Sequence, residues 1–211
     1  MDIYGDKNAS LCLIRVTGKH EEEDISSFFR HIKEQTQKDF LLVKFTVDDW
    51  NRDLSPWPAP AVFGDEPFGG MAEETLNKIC EALPDIKRSY LSEDAEFVIG
   101  GYSLAGLWAL WAAYRTGIFK AVVAASPSVW FPGWTDFASE HEILCEKIYL
   151  SLGKKEALSR NPLLRTVGGA ILKQDELLKD KDHILEWNEG THFTDPEGRT
   201  AKGFIWTINN C

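Results

Sequence analysis

Hydrophobic and polar positions along the chain follow two alternating patterns. Short, nearly continuous apolar runs occur at "SLCLIRV" (10–16), "FLLVKFTV" (40–47), "AEFVIGG" (95–101), "KAVVAAS" (120–126), "EKIYLSLG" (146–153) and "HILEWN" (183–188). Their length and β-branched content are those of strands covered on both faces. Between them apolar residues recur at helical spacing. Ile25, Phe28, Phe29 and Ile32 mark a helix over 24–37, and "MAEETLNKICEALP" (71–84) a second. The stretch from Leu104 to about Gly117 is apolar nearly all round. Residues 162–179 form a further helix, and Asp195 caps a last one that has Pro196 at its first position and Ala201, Phe204, Ile205 and Ile208 on its buried face. Six strands alternating with helices predict an α/β fold, a three-layer α/β/α sandwich on a mostly parallel sheet. Residues 1–211 read as a single domain. The segment 48–70, with its prolines and tryptophans, reads as a long ordered loop.

In an open parallel sheet, ligands sit beyond the carboxyl ends of the strands. Ser103 lies there, in "GGYSLAG", between the third run and the most apolar helix. A nucleophile elbow places serine on a sharp strand-to-helix turn with small residues two before and two after it. Here those are Gly101 and Ala105, so the usual G-x-S-x-G becomes G-x-S-x-A. On this stretch alone the serine is equally well a helix N-cap. A nucleophilic hydroxyl needs a base. His20 adjoins the acidic run "EEED", His31 lies on a helix, His141 lies in a polar stretch and His183 opens a strand. Only His192 follows the last strand. With such an elbow the chain order is serine, acid, histidine. Between 103 and 192, the early carboxylate after the fifth run is Glu156, which reads either as the orienting acid or as an exposed loop charge. Asp48 and Asp49 follow the second run, too far across the sheet, and capping explains Asp195. Two oxyanion donors are expected: the backbone N–H of Leu104, and that of Gly18 or Lys19 in "VTGKHEE" (16–22).

Composition narrows the partners. The formal net charge is −10 at 44% hydrophobic content, which argues against nucleic acid and anionic membrane surfaces. No run approaches the length of a membrane span. The start "MDIYGDKNAS" is polar, unlike a secretory signal, and the four cysteines form no C-x-x-C pair. These features predict a soluble, reduced, cytoplasmic protein. The histidines lack metal-ligand spacing such as H-E-x-x-H, and nothing in the pattern sets an oligomeric state.

With these residues in place, the sequence resembles the α/β-hydrolase superfamily, in its esterase D and enterochelin-esterase-like branch. "GGYSLAGLWALWA" resembles that branch's elbow, "AASPSVWFPGW" its strand ending in small residues and tryptophan, "YLSLGKKE" its acid loop, and "EGTHFTDPEGRTAKGF" its histidine loop. The match covers about 95–210 well and the first half by topology. It implies a Ser103–Glu156–His192 triad, no cofactor, no metal and a small-molecule ester as substrate. Lys154 stands where relatives often carry an acid, so either Glu156 orients the imidazole or a Ser–His dyad operates. Thr17-Gly18-Lys19 replaces the family's H-G-G run, and the absence of the strands that usually precede it implies a minimal version of the fold. The implied activity is carboxylic-ester hydrolysis through an acyl-enzyme. A thioesterase or amidase on the same machinery, and a catalytically silent binding protein, are the alternatives. Trp57, Trp130, Phe131 and Trp134 are expected either to wall a substrate pocket or to anchor loops in the core.

Overall fold

The six apolar runs all lie in one sheet. In chain order the elements are β1 (Asp2–Gly5), β2 (Ala9–Gly18), α1 (Ile25–Lys33), β3 (Leu41–Val47), α2 (Trp50–Leu54), β4 (Pro58–Ala59), β5 (Phe68–Gly69), α3 (Ala72–Tyr90), β6 (Leu91–Tyr102), α4 (Leu104–Arg115), β7 (Phe119–Ala125), α5 (Trp134–Glu140), β8 (Lys147–Gly153), a 3-10 turn (Glu156–Leu158), α6 (Pro162–Arg165), α7 (Val167–Leu177), β9 (Asp182–Asn188) and α8 (Pro196–Asn210). The structure, a computed structural model, describes residues 1–21, 24–62 and 64–211. Glu22 and Glu23, in the expected oxyanion loop and the acidic run beside His20, lie outside the described residues, as does Phe63 in the 48–70 segment.

The main sheet has seven strands in the order β1-β3-β2-β6-β7-β8-β9. All its pairings are parallel except that of β1 with β3, which is antiparallel. The count of six strands is therefore corrected to seven. β1 escapes pattern analysis because it is a short edge strand with three of its four residues exposed, so no buried face imprints an alternation on it.

Alternation within the strands builds two cores. Cys12, Ile14, Val16, Ile99, Val122, Ala124, Ile148 and Leu150 face the layer of α3, α4 and α7. Leu11, Leu13, Leu42, Val98, Val123 and Tyr149 face α1 and α8, meeting Phe28, Ile32, Phe204 and Ile208. Helix α4 is buried from Leu104 to Tyr114, which explains why it is apolar all round. Cys12 and Cys145 are buried, and desolvation pushes both thiols up to about 12, so they act as packing groups.

Several elements differ from the sequence expectation, among them α1, which ends at Lys33, and β6, which starts at Leu91. Helix α3 runs on through Pro84 to Tyr90. The lost N–H and ring clash cost about 3 kcal/mol, but Leu83 and Ile86 continue the buried face laid down by Leu76 and Ile79. The expected helix over 162–179 is two helices, broken at Thr166, whose hydroxyl donates to the Leu163 carbonyl (2.6 Å). Local hydroxyl bonding and the Gly168–Gly169 pair both work against a continuous helix there. The 48–70 segment holds α2, capped by the Asp49 side chain on the Arg52 N–H (2.9 Å), and the small β4–β5 hairpin. Among the described residues no helix is long and apolar enough to cross a membrane.

At the start of α8, the Asp195 side chain accepts the Gly198 N–H (3.1 Å). Asp195→Ala should cost about 1 kcal/mol as a lost cap, read as a lower urea midpoint with an unchanged m-value.

Candidate active site

The sheet changes direction between β2 and β6. From β2 the chain runs outward to β3; after it returns to β6, strands β7, β8 and β9 are added on the other side. The carboxyl ends flanking such a point open a crevice, and three segments converge on it: the β6–α4 turn, the loop after β8 and the loop after β9.

Ser103 makes the β6–α4 turn at φ 57°, ψ −119°. A non-glycine residue held in that region costs about 1–3 kcal/mol. The turn is pinned on both sides: the Ser103 N–H donates to the Ala125 carbonyl (3.0 Å), and its carbonyl accepts from the amides of Leu107 (3.0 Å) and Ser128 (3.1 Å). The helix-cap role is not taken, since the side chain makes no capping bond to α4. Instead Oγ lies 2.9 Å from His192 Nε2 and 3.4 Å from Ser128 Oγ. The altered motif is accommodated by complementarity. A Cβ at Gly101 would stand 2.6 Å from the Ala105 methyl, so the methyl occupies space that glycine leaves empty, and Ala105 is fully buried.

His192 Nδ1 is 2.7 Å from Glu156 Oε2. Glu156 is therefore a buried carboxylate, and the alternative of an exposed loop charge is set aside. Its other oxygen, Oε1, accepts from the Gly153 N–H (2.7 Å), Ser126 Oγ (2.8 Å) and Arg199 Nη1 (3.0 Å). Burial works to raise this carboxyl. The hydrogen bond and charge of His192, helped by the Gly153 amide and the Ser126 hydroxyl, outweigh it and hold the group below the usual glutamate value. Gly153 is needed for close approach, because a Cβ there would lie 2.8 Å from Oε1 and 3.0 Å from Arg199 Nη1. The acid and histidine loops are zipped together by Lys154 N–H to the Asn188 carbonyl (2.9 Å) and Lys155 N–H to the Gly190 carbonyl (3.0 Å). A carboxylate at Nδ1 fixes the tautomer whose Nε2 is free to accept a hydroxyl proton.

Three contributors carry no mark in the sequence. Arg199 is 2% exposed, although an arginine in the first turns of a helix reads as a solvated charge. Tyr102 ends β6 and Ser126 directly follows β7, and nothing in their neighbours identifies their partners.

The remaining expected residues divide. The first turn of α4, where Leu104 lies, presents amides without intrahelical acceptors, a setting that favours negative charge. The Gly18 N–H is taken by Glu21 Oε1 (3.0 Å), whose other oxygen is 3.5 Å from the buried Arg15. The Lys19 side chain pairs with Asp48 (2.7 Å) at the surface. Of the four aromatic residues, Phe131 and Trp134 are core, 2% and 1% exposed, and Trp134 Nε1 donates to Gln174 (3.0 Å). Trp57 and Trp130 are half-buried. Trp57 anchors its loop by donating to the Pro132 carbonyl (2.9 Å). A cleft of about 470 Å³ runs between the 129–136 segment and α7; Trp130, Phe131 and Trp134 line it, whereas Trp57, Ser103, Glu156 and His192 do not. Phe193, 84% exposed and edge-on to His192 (5.4 Å, 87°), is an apolar group at the site that the sequence expectation omitted.

No family model matches this chain, and no curated protein does. Solved structures do. An IroE-like serine hydrolase from Shewanella oneidensis superimposes with a TM-score of 0.79 at 15% identity, over 99% of this chain and 75% of that one. The siderophore hydrolase EstA from Aspergillus nidulans gives 0.67 at 18%, over 96% and 84%. The enterobactin esterase FES from Shigella flexneri gives 0.68 at 17%, over 99% of this chain and 55% of that one. The chain has the α/β-hydrolase fold of these structures.

Two outcomes check the geometry. Gly101→Ala should cost about 1–3 kcal/mol through overpacking against Ala105, whereas Gly169→Ala, in α7 with open space at its Cβ position, should gain about 0.5–1 kcal/mol; urea unfolding of both variants separates them. Because the Glu156 carboxyl is lowered in the folded state, its ionisation stabilises the protein above the unfolded value, about 4.3. That contribution is lost as pH falls through the lower folded value. Glu156→Gln should therefore show a shallower fall of melting temperature with acidification in this window than wild type.

Proposed function

We propose that the protein is a carboxylic-ester hydrolase that works through a Ser103–His192–Glu156 triad and an acyl-enzyme. The observation that carries this reading is the continuous relay, 2.9 Å from Ser103 Oγ to His192 Nε2 and 2.7 Å from Nδ1 to Glu156, with the serine held out at a strained turn. Ser103 Oγ attacks the ester carbonyl as His192 takes its proton, and the imidazolium returns the proton to the departing alcohol. Water, deprotonated by the same imidazole, then attacks the acyl-serine and releases the acid. Glu156 holds the imidazole and stabilises its charged form. The oxyanion falls to the amides of Leu104 and Lys19; Gly18 joins them only when Glu21 swings off its N–H. Fold neighbours named as a serine hydrolase, a siderophore hydrolase and an enterobactin esterase support this chemistry. No cofactor or metal enters the scheme. The net charge of −10 favours a small-molecule ester over a polyanionic partner, and four free thiols fit a reducing, cytoplasmic setting. Trp57, Trp130 and Phe193 are the apolar surface offered to the substrate.

A fluorophosphonate probe should label wild type at Ser103, and Ser103→Ala should abolish both labelling and hydrolysis of a p-nitrophenyl ester panel of graded acyl length. Wild type inert to the probe and to every ester would leave a non-catalytic binding protein instead. Glu156→Gln should lower kcat about 100-fold or more. An unchanged kcat would assign the chemistry to a Ser–His dyad.

A further inference from the structure

We propose that Arg199 is the positioning residue of this site: one buried guanidinium ties the Glu156 carboxylate to the backbone that carries His192. The inference rests on the triad reading above and adds to it the part that makes the acid and the base a single unit.

The contacts span every segment that meets at the site. Nη1 donates to Glu156 Oε1 (3.0 Å), to Ser126 Oγ after β7 (3.1 Å) and to the Tyr102 hydroxyl at the end of β6 (3.2 Å). Nη2 donates to the carbonyls of Glu189 (2.7 Å) and Thr191 (3.0 Å), on either side of Gly190 in the histidine loop. Tyr102 closes the circuit, since its hydroxyl donates to the His192 carbonyl (2.5 Å). Burial holds that phenol above its ordinary value, so it remains a donor.

Two physical points make this a positioning role. With Gly153, Ser126 and Arg199 all on Oε1, the other oxygen is the one turned to His192, so Arg199 helps decide how the carboxylate faces the imidazole. A guanidinium beside the acid also opposes the positive charge that forms on His192 during proton transfer. Its benefit must therefore be geometric, and geometry is what a planar fork supplies and an ammonium does not. Arg199→Lys keeps the charge but cannot serve Glu156 and both loop carbonyls together.

The test uses the full chain, with the folded state of each variant checked by its thermal melt. Arg199→Lys should lower kcat about 10-fold or more while KM stays within about 2-fold, because misplacement of a catalytic group acts on the transition state. Tyr102→Phe, which removes the hydroxyl that accepts from Arg199 and donates to the His192 carbonyl, should lower kcat about 5-fold, in the range of a lost hydrogen bond. Arg199→Ala should recover activity several-fold in millimolar guanidinium chloride and not in matched sodium chloride. If Arg199→Ala does not fold, Arg199→Lys and Tyr102→Phe decide the matter. Folded Arg199→Lys and Tyr102→Phe with wild-type kcat would overturn the proposal, as would a folded Arg199→Ala that guanidinium does not rescue. Wild type inert to fluorophosphonate and esters would instead overturn the triad reading itself, so the two failures are distinguishable.

Discussion

A carboxylate removed from water is the constraint around which this end of the molecule is built. An ionised group that is buried without partners costs several kcal/mol, and Glu156 is both buried and held ionised. Its donors come from four places: the Gly153 amide of its own loop, the Ser126 hydroxyl after β7, Arg199 on α8 and His192 after β9. No local segment contains them all. The order of β7, β8 and β9 in the sheet, the close approach allowed at Gly153 and the Asp195 cap that starts α8 are each conditions for meeting that one charge.

The strain at Ser103 is a second, smaller cost with a different remedy. The turn is held by backbone hydrogen bonds to the neighbouring segments and by the fully buried helix that follows. A rigid scaffold can keep an unfavourable φ in place because relaxing it would break several bonds at once. The substitution of alanine for the usual second glycine of the elbow is harmless here for a steric reason: Gly101 has no Cβ, and the Ala105 methyl fills that space. The small-residue requirement belongs to the pair of positions, and one true glycine meets it.

The aromatic surroundings of Ser103 and His192 are sparse. The rings against His192 are Tyr102 (5.2 Å) and the exposed Phe193 (5.4 Å), while Trp57 and Trp130 are half-buried and pack on Phe131. Selectivity at such a site depends on a few side chains and on loops, which vary independently of the sheet that carries the chemistry. That is consistent with overlap across nearly the whole chain with several hydrolases at identities of only 15–18%.

The layers and the direction of the sheet were legible in the one-dimensional pattern. Continuous apolar runs mean strands buried on both faces, and helical spacing between them forces parallel crossovers; both are local signals that survive in one dimension. The sequence also singled out Ser103, Glu156 and His192, because all three follow apolar runs and stand in the order serine, acid, histidine. It did not reveal β1, whose exposed edge position leaves no pattern, nor the continuation of α3 through Pro84, where burial of Leu83 and Ile86 outweighs a local penalty. Which aromatic rings are buried, that Glu21 occupies the Gly18 amide and that Arg199 lies beside Glu156 became apparent in the folded chain alone. Each of these depends on contacts between elements far apart in the chain. An arginine near a helix start looks the same in sequence whether it meets water or, as here, a carboxylate 43 residues away.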